Sequence, residues 1–223
     1  TLYDWEAGYS FRSERFSGEA GVYFMDYDNQ LVLTGQINDV GAPVMVNVEN
    51  SYRAGMEIQT GVKLSKVFQW NGNITLSRNK IKNFTEYVDN WDTWEQEAVD
   101  LGTTDLSFSP EITSNSNLSA TLADHLELSL TSSYVGKQFI DNTSSDDRIL
   151  PAYFVNHLTA GYRFSTRLFR EITLNMQINN LFNEKYESNA WVYSYILGGE
   201  RYKMDGYFPQ AGRHVMIGLN LDF

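Results

Sequence analysis

Apolar and polar residues alternate at the end of this chain, with Val215, Ile217, Leu219, Leu221 and Phe223 on one parity and His214, Met216, Gly218, Asn220 and Asp222 on the other. A period of two is the signature of a strand with two different faces. The pattern recurs. Tyr3, Trp5, Ala7, Tyr9 and Phe11 share a parity, as do Ala20, Val22 and Phe24. Ala54, Met56, Ile58, Val62 and Leu64 oppose Arg53, Glu57, Gln59 and Lys63, and Phe68, Trp70, Ile74 and Leu76 oppose Gln69, Asn73, Thr75 and Ser77. A weaker run carries Ile112, Leu118 and Ala120; stronger ones follow at 126–134, 158–164 and 172–178. The count is nine strands, with no amphipathic helix of comparable strength.

The connections alternate too. Short ones fall near 12–16, 64–67, 121–124 and 165–170, and long ones near 27–47, 82–104, 140–151 and 183–210. In consecutive antiparallel strands this sorts every short turn to one end and every long loop to the other, as in an outer-membrane barrel with short periplasmic turns. The polar parity is rich in Asn, Gln, Ser, Thr and Gly, which suits a hydrated lumen. Tyr3, Trp5, Phe11, Phe68, Trp70, Tyr134, Phe164 and Phe223 lie near strand ends, where interfacial girdles form. The predicted fold is therefore all-β, an antiparallel transmembrane β-barrel; the competing reading is a soluble β-rich binding or adhesion module built as a sandwich. The first and last strands both run from the loop end to the turn end, so residues 1–223 are expected to be the C-terminal portion of a larger barrel.

Composition narrows the partners. The chain of 223 residues carries 17 basic and 28 acidic residues, a net charge of −11 that argues against nucleic acid. Cysteine is absent, which removes disulfides and thiolate metal sites. No apolar run is long enough for a transmembrane helix, which leaves a barrel open. His125, His157 and His214 stand on separate segments without ligand or triad spacing and read as strand or rim residues. No catalytic residues, metal site or cofactor are expected.

Several stretches carry a resemblance. "INNLFNEKY" at 178–186, "GYFPQAGR" at 206–213, the last strand ending in Phe223, "LSFSPEI" at 106–112 and the segment 23–58 resemble TonB-dependent outer-membrane receptors, particularly iron-complex receptors of the Bacteroidetes kind. The resemblance implies a roughly 22-stranded barrel around a plug, of which this chain would supply the fourteenth to the twenty-second strands, without the plug. It implies a bacterial outer-membrane location, contact with membrane lipid, coupling to the TonB complex through that plug, and import of a scarce nutrient such as an iron–siderophore complex. It also implies that Phe223 is read by the barrel-assembly machinery.

The long loops are the candidate binding surface, since loops on a rigid scaffold carry function. Trp91 and Trp94 stand among six acids in "EYVDNWDTWEQEAVD" at 86–100, read either as a solvated acidic loop whose Trp side chains pack on neighbours or as a site where aromatics would stack on a ligand and carboxylates would repel anions or recruit cations. Trp191, Tyr193, Tyr195 and Arg201 lie in 188–202, where the arginine would pair with a ligand carboxylate or phosphate.

Overall fold

A computed structural model describes residues 1–38, 40–123 and 125–223. The strands, in chain order, are β1 (Leu2–Arg12), β2 (Phe16–Ile37), β3 (Pro43–Lys63), β4 (Phe68–Asn90), β5 (Glu95–Asp105), β6 (Ile112–Leu122), β7 (Leu126–Val135), β8 (Gln138–Phe139), β9 (Ile149–Leu150), β10 (Tyr153–Phe164), β11 (Glu171–Asn179), β12 (Glu187–Leu197), β13 (Glu200–Pro209) and β14 (His214–Asp222). Nine of them, β1-β2-β3-β4-β6-β7-β10-β11-β14, form one antiparallel wall of sequential neighbours. These are the nine segments whose alternation the sequence displays, including the weak one at β6. The arc is open, with β1 and β14 at its edges.

The register shows why alternation persists. Directly paired residues share a face, and Val62↔Trp70, Trp70↔Leu118, Leu118↔Leu130, Leu130↔Leu158, Leu158↔Ile178 and Ile178↔Val215 make one apolar row across seven strands. A polar row runs beside it through Asn71, Asn117, Thr131, His157, Asn179 and His214. A slip of one residue would exchange the faces, so each pairing is specified by its neighbours. Among the described residues no second sheet packs on the apolar face: Tyr9 is 73% exposed, Ile217 73% and Leu219 58%. The polar face borders a hollow of 990 Å³ lined in part by Glu6, Glu19, Tyr23, Arg53 and Glu57.

All four short connections lie at one end, because Arg12↔Ser17, Lys63↔Gln69, Leu122↔Leu126 and Phe164↔Ile172 close neighbouring hairpins. Two predicted girdle residues, Tyr3 and Trp5, join Phe24 and Tyr52 in a chain of rings across three strands near the loop end, with centroids 5.8–6.2 Å apart. Phe223 packs on Phe169 at 4.9 Å at the turn end.

The four long connections differ from the sequence reading, which treats them as loops. The segment 27–47 is mostly ladder, with β2 and β3 paired out to Ile37↔Pro43. The segment 82–104 becomes the β4–β5 hairpin, 183–210 the β12–β13 hairpin, and 140–151 includes β9, which pairs with β8. Their periodicity is hidden because these strands leave the two-sided environment of the wall. Left-handed residues such as Asn29 (φ 62°) and Asn83 (φ 53°), and register breaks at Ile81/Phe84, also interrupt the parity.

Candidate ligand-binding site at the loop end

The hairpin β12–β13 starts from a turn organised by two asparagines. Asn180 has φ 50°, a conformation asparagine tolerates well. Its side-chain amide donates to the carbonyl oxygens of Glu184 (2.8 Å) and Ala211 (3.2 Å) and its carbonyl accepts from the Glu184 N–H (2.8 Å). Asn183 (φ 58°) accepts from the Arg213 N–H at 2.9 Å. The hairpin connects β11 to β14, yet β12 pairs in parallel with β4 through Tyr195↔Asp89 and Ile196↔Asn90. It thus reaches past β10, β7 and β6, about 19 Å along the sheet at the usual strand spacing of about 4.8 Å, and lies across the loop end of the arc.

One face of the hairpin is buried. Ala190 and Val192 pack with Ile140 and Leu150, joined by Phe108. Beside them the guanidinium of Arg148, its side chain 2% exposed, donates to Asp141 (2.9 Å), Asp205 (3.0 Å), Ser194 Oγ (2.6 Å) and the Tyr193 carbonyl (3.2 Å). A buried charge persists only when it is paired and its donors are used, as here. Arg201 forks onto Glu86 (3.0 and 2.5 Å), and Lys203 meets Asp147 at 2.9 Å and holds its carboxyl below the usual range. The supporting loop is pinned to β2 by Asn142, whose amide donates to the Leu33 carbonyl at 2.7 Å. Gly35 is needed there: its φ is +82° and a side chain would strike the Ile140 carbonyl. A cleft of 560 Å³ remains between these parts, with Gln36, Glu49, Lys82, Glu86 and Arg148 among its lining residues.

The other face carries aromatic rings. Trp191, Tyr193 and Tyr195 alternate along β12, with Tyr202 and Met204 opposite on β13. Trp91 stacks on Tyr195 at 4.1 Å, and Tyr195 on Tyr202 at 5.4 Å. Trp191 lies across Gly206, where any side chain would meet the indole. The tips of the two hairpins are clasped: the Trp91 N–H donates to the Ile196 carbonyl (2.8 Å), and the Gly198 and Gly199 N–H groups donate to Asp92 (2.8 and 2.9 Å). Those two bonds hold the Asp92 carboxyl below its ordinary range. Burial, and after it the Asp89 carboxylate, raise the Tyr193 phenol.

Of the six candidate residues, Trp91, Trp191, Tyr193 and Tyr195 meet at this hairpin. Trp94 does not join them; it sits at the turn with φ 61° and is 88% exposed. Arg201 is on the opposite face with its fork taken by Glu86. Sequence reasoning missed Arg148, Asp141, Asp205 and the glycine pair; Asp92 stood among the six acids of 86–100. "DNTSSDDR" at 141–148 carries the only hint, an arginine in an acidic loop that has no reason to be there unless paired. His157 and His214 share the polar row with Asn179 between them, and His157 Nδ1 lies 3.1 Å from Asn179 Oδ1.

The wall of sequential antiparallel strands, the end-sorted connections and the bare apolar face define an outer-membrane type of barrel. The family model of the TonB dependent receptor-like β-barrel matches residues 1–181, and the chain belongs to this family, whose members are outer-membrane proteins of Gram-negative bacteria. No curated protein sequence matches the chain. Solved structures with the same fold include the ferric yersiniabactin uptake receptor FyuA of Yersinia pestis, 16% identical with a TM-score of 0.68, covering 100% of this chain and 30% of that one. The siderophore receptor PiuA of Acinetobacter baumannii is 15% identical over 99% of this chain and 28% of its own, with a TM-score of 0.68. The ferric-catecholate import receptor Fiu of E. coli K12 is 18% identical over 100% of this chain and 27% of its own, also at 0.68. The chain spans less than a third of the length of each.

Proposed function

We propose that this chain forms part of the wall and the outer loops of an outer-membrane receptor that imports a scarce nutrient, with an iron complex the favoured cargo. The observation that carries the reading is an apolar face nine strands wide that no layer among the described residues covers, backed by a polar face. A soluble protein does not leave so wide a patch open; lipid is the solvent that matches it. In this reading the nine strands are the fourteenth to the twenty-second of a roughly 22-stranded barrel, coupled to the TonB complex through a plug. The chain supplies binding and passage, and no reaction centre. The names of the structural neighbours, receptors for ferric yersiniabactin, siderophores and ferric catecholates, favour iron complexes. The hairpin face carrying Trp91, Trp191, Tyr193 and Tyr195 is the proposed ligand contact, and Phe223 the proposed signal for barrel assembly.

Spin labels test the lipid assignment. Labels at Leu174 and Leu219 in the assembled receptor collide with oxygen dissolved in the bilayer, whereas a label at Asn175 responds to a water-soluble relaxant. The opposite pattern rules the reading out. Import is tested by TonB-dependent uptake of radio-iron complexes by cells carrying or lacking the receptor.

A further inference from the structure

The charge of the chain is strongly segregated. In sequence, the stretches 26–50, 80–105, 137–148 and 184–205, which lead into and out of the loop end, hold 18 acidic and seven basic residues, a balance equal to the whole net charge of −11. The remaining wall and turns are neutral on balance. Within the loop end, the cations near the hairpin are spent: Arg148 on Asp141 and Asp205, Arg201 on Glu86, Lys203 on Asp147. All three approach the buried face.

The ring face has the reverse character. Trp91 is 42% exposed, Tyr202 43% and Met204 53%, so π surface is open to a ligand. Its rim consists of carboxylates: Tyr193 Oη makes a long 3.5 Å bond to Asp89, Tyr202 Oη a similar one to Glu200, and Asp92 closes the tip. Ring faces carry negative electrostatic potential and attract cations; an acidic rim reinforces that attraction and repels anions.

We propose that the open face of β12–β13, capped by Trp91, selects a ligand with a positively charged group, an organic ammonium or the cationic arm of a larger complex, and discriminates against anionic ligands. This rests on the reading of the hairpin as the ligand contact, and specifies the charge class of what it takes: among iron complexes, a cationic chelate and not an anionic one of the ferric-catecholate type. The contrast is with the expectation that Arg201 would grip a carboxylate or phosphate; its guanidinium is already engaged.

The test uses two ions of similar size, benzyltrimethylammonium and benzenesulfonate, titrated by ligand-observed NMR into the full-length receptor in detergent. Saturable binding of the ammonium and none of the sulfonate is the expected result. Trp91→Leu weakens the ammonium by about tenfold. Glu200→Lys, at the exposed tip, lowers the preference without touching the packed face. Equal binding of the two ions, tighter sulfonate binding, no binding of either, or a preference unchanged in both variants overturns the proposal. Import is judged separately: normal radio-iron uptake with no ammonium preference sinks the charge selection alone, whereas loss of uptake dependence on the receptor sinks the import reading.

Discussion

Strands β2, β3 and β4 run through both regions of the molecule, and the forces that hold them change where they leave the wall. Inside the wall, β3 pairs with β4 from Lys63↔Gln69 to Asn50↔Lys82 without a break. Side chains there alternate, and ladder hydrogen bonds satisfy the backbone. Beyond it, β4 pairs with β5 through two register shifts, a parallel contact with β12 appears, and burial is supplied by clusters such as Val32, Val48, Ile81 and Leu106. The wall has almost no buried charge; the loop end is organised around one. The difference follows from solvent. On the proposed reading the wall faces lipid, where the hydrophobic effect does not drive strand against strand, so backbone bonds hold it. A watery loop end can bury apolar groups, but must satisfy every polar group it takes with them.

The largest test of this contrast is Arg148→Leu. It strands Asp141 and Asp205 and is expected to destabilise the outer assembly by about 3–5 kcal/mol, seen as rapid proteolysis within 187–209 while the wall stays resistant. Replacing Asp141, Arg148 and Asp205 together by apolar residues should restore most of that protection; if the single change leaves the hairpin as resistant as before, the ion cluster is not its anchor. Next comes Leu174→Arg on the apolar face, with an expected cost of about 2–4 kcal/mol near mid-wall by urea unfolding in bilayers. Asn175→Arg, on the polar face next door, should cost far less. Similar costs for the two would contradict the two-solvent picture.

Smaller effects sharpen the comparison at the clasp. Trp91→Leu removes the stack on Tyr195, worth about 0.5–1.5 kcal/mol beyond area burial, and should speed exchange of the Trp91 amide. The weakest effect is a pH response. Asp92 is held below its ordinary value by two glycine N–H groups, so its contribution is fully present above the unfolded carboxyl value of about 4 and is lost as pH falls through the lowered folded value. Hydrogen exchange at Gly198 and Gly199 should therefore lose protection in acid, corrected for the intrinsic rate, and Asp92→Asn should flatten that dependence.

The nine wall strands were legible because each has one apolar and one polar face along its length, which writes a period of two into the residues. β6 shows how little is needed: Ile112, Leu118 and Ala120 among serines and asparagines still mark a strand paired on both sides. The long connections hid their strands for the converse reason. Both faces of β12 meet protein or water irregularly, so Ala190, Val192 and Ser194 opposite Trp191, Tyr193 and Tyr195 give no clean apolar contrast. Four aromatic candidates, identified from their place in the long connections, lie at one hairpin, whereas Trp94 fits the same description and stands apart.

By itself, then, the sequence determined the number of wall strands, the two-faced character of the wall and the sorting of short and long connections, because these depend on local alternation and on the spacing of turns. Tertiary structure alone decided that a hairpin between β11 and β14 lands on β4, that Arg201 is turned away and engaged by Glu86, and that Arg148 is enclosed by Asp141 and Asp205. Those partners lie between seven and 115 positions apart in the chain. Contacts of that kind leave no periodic trace, since one pairing of a charge or ring depends on where the arc brings distant loops together.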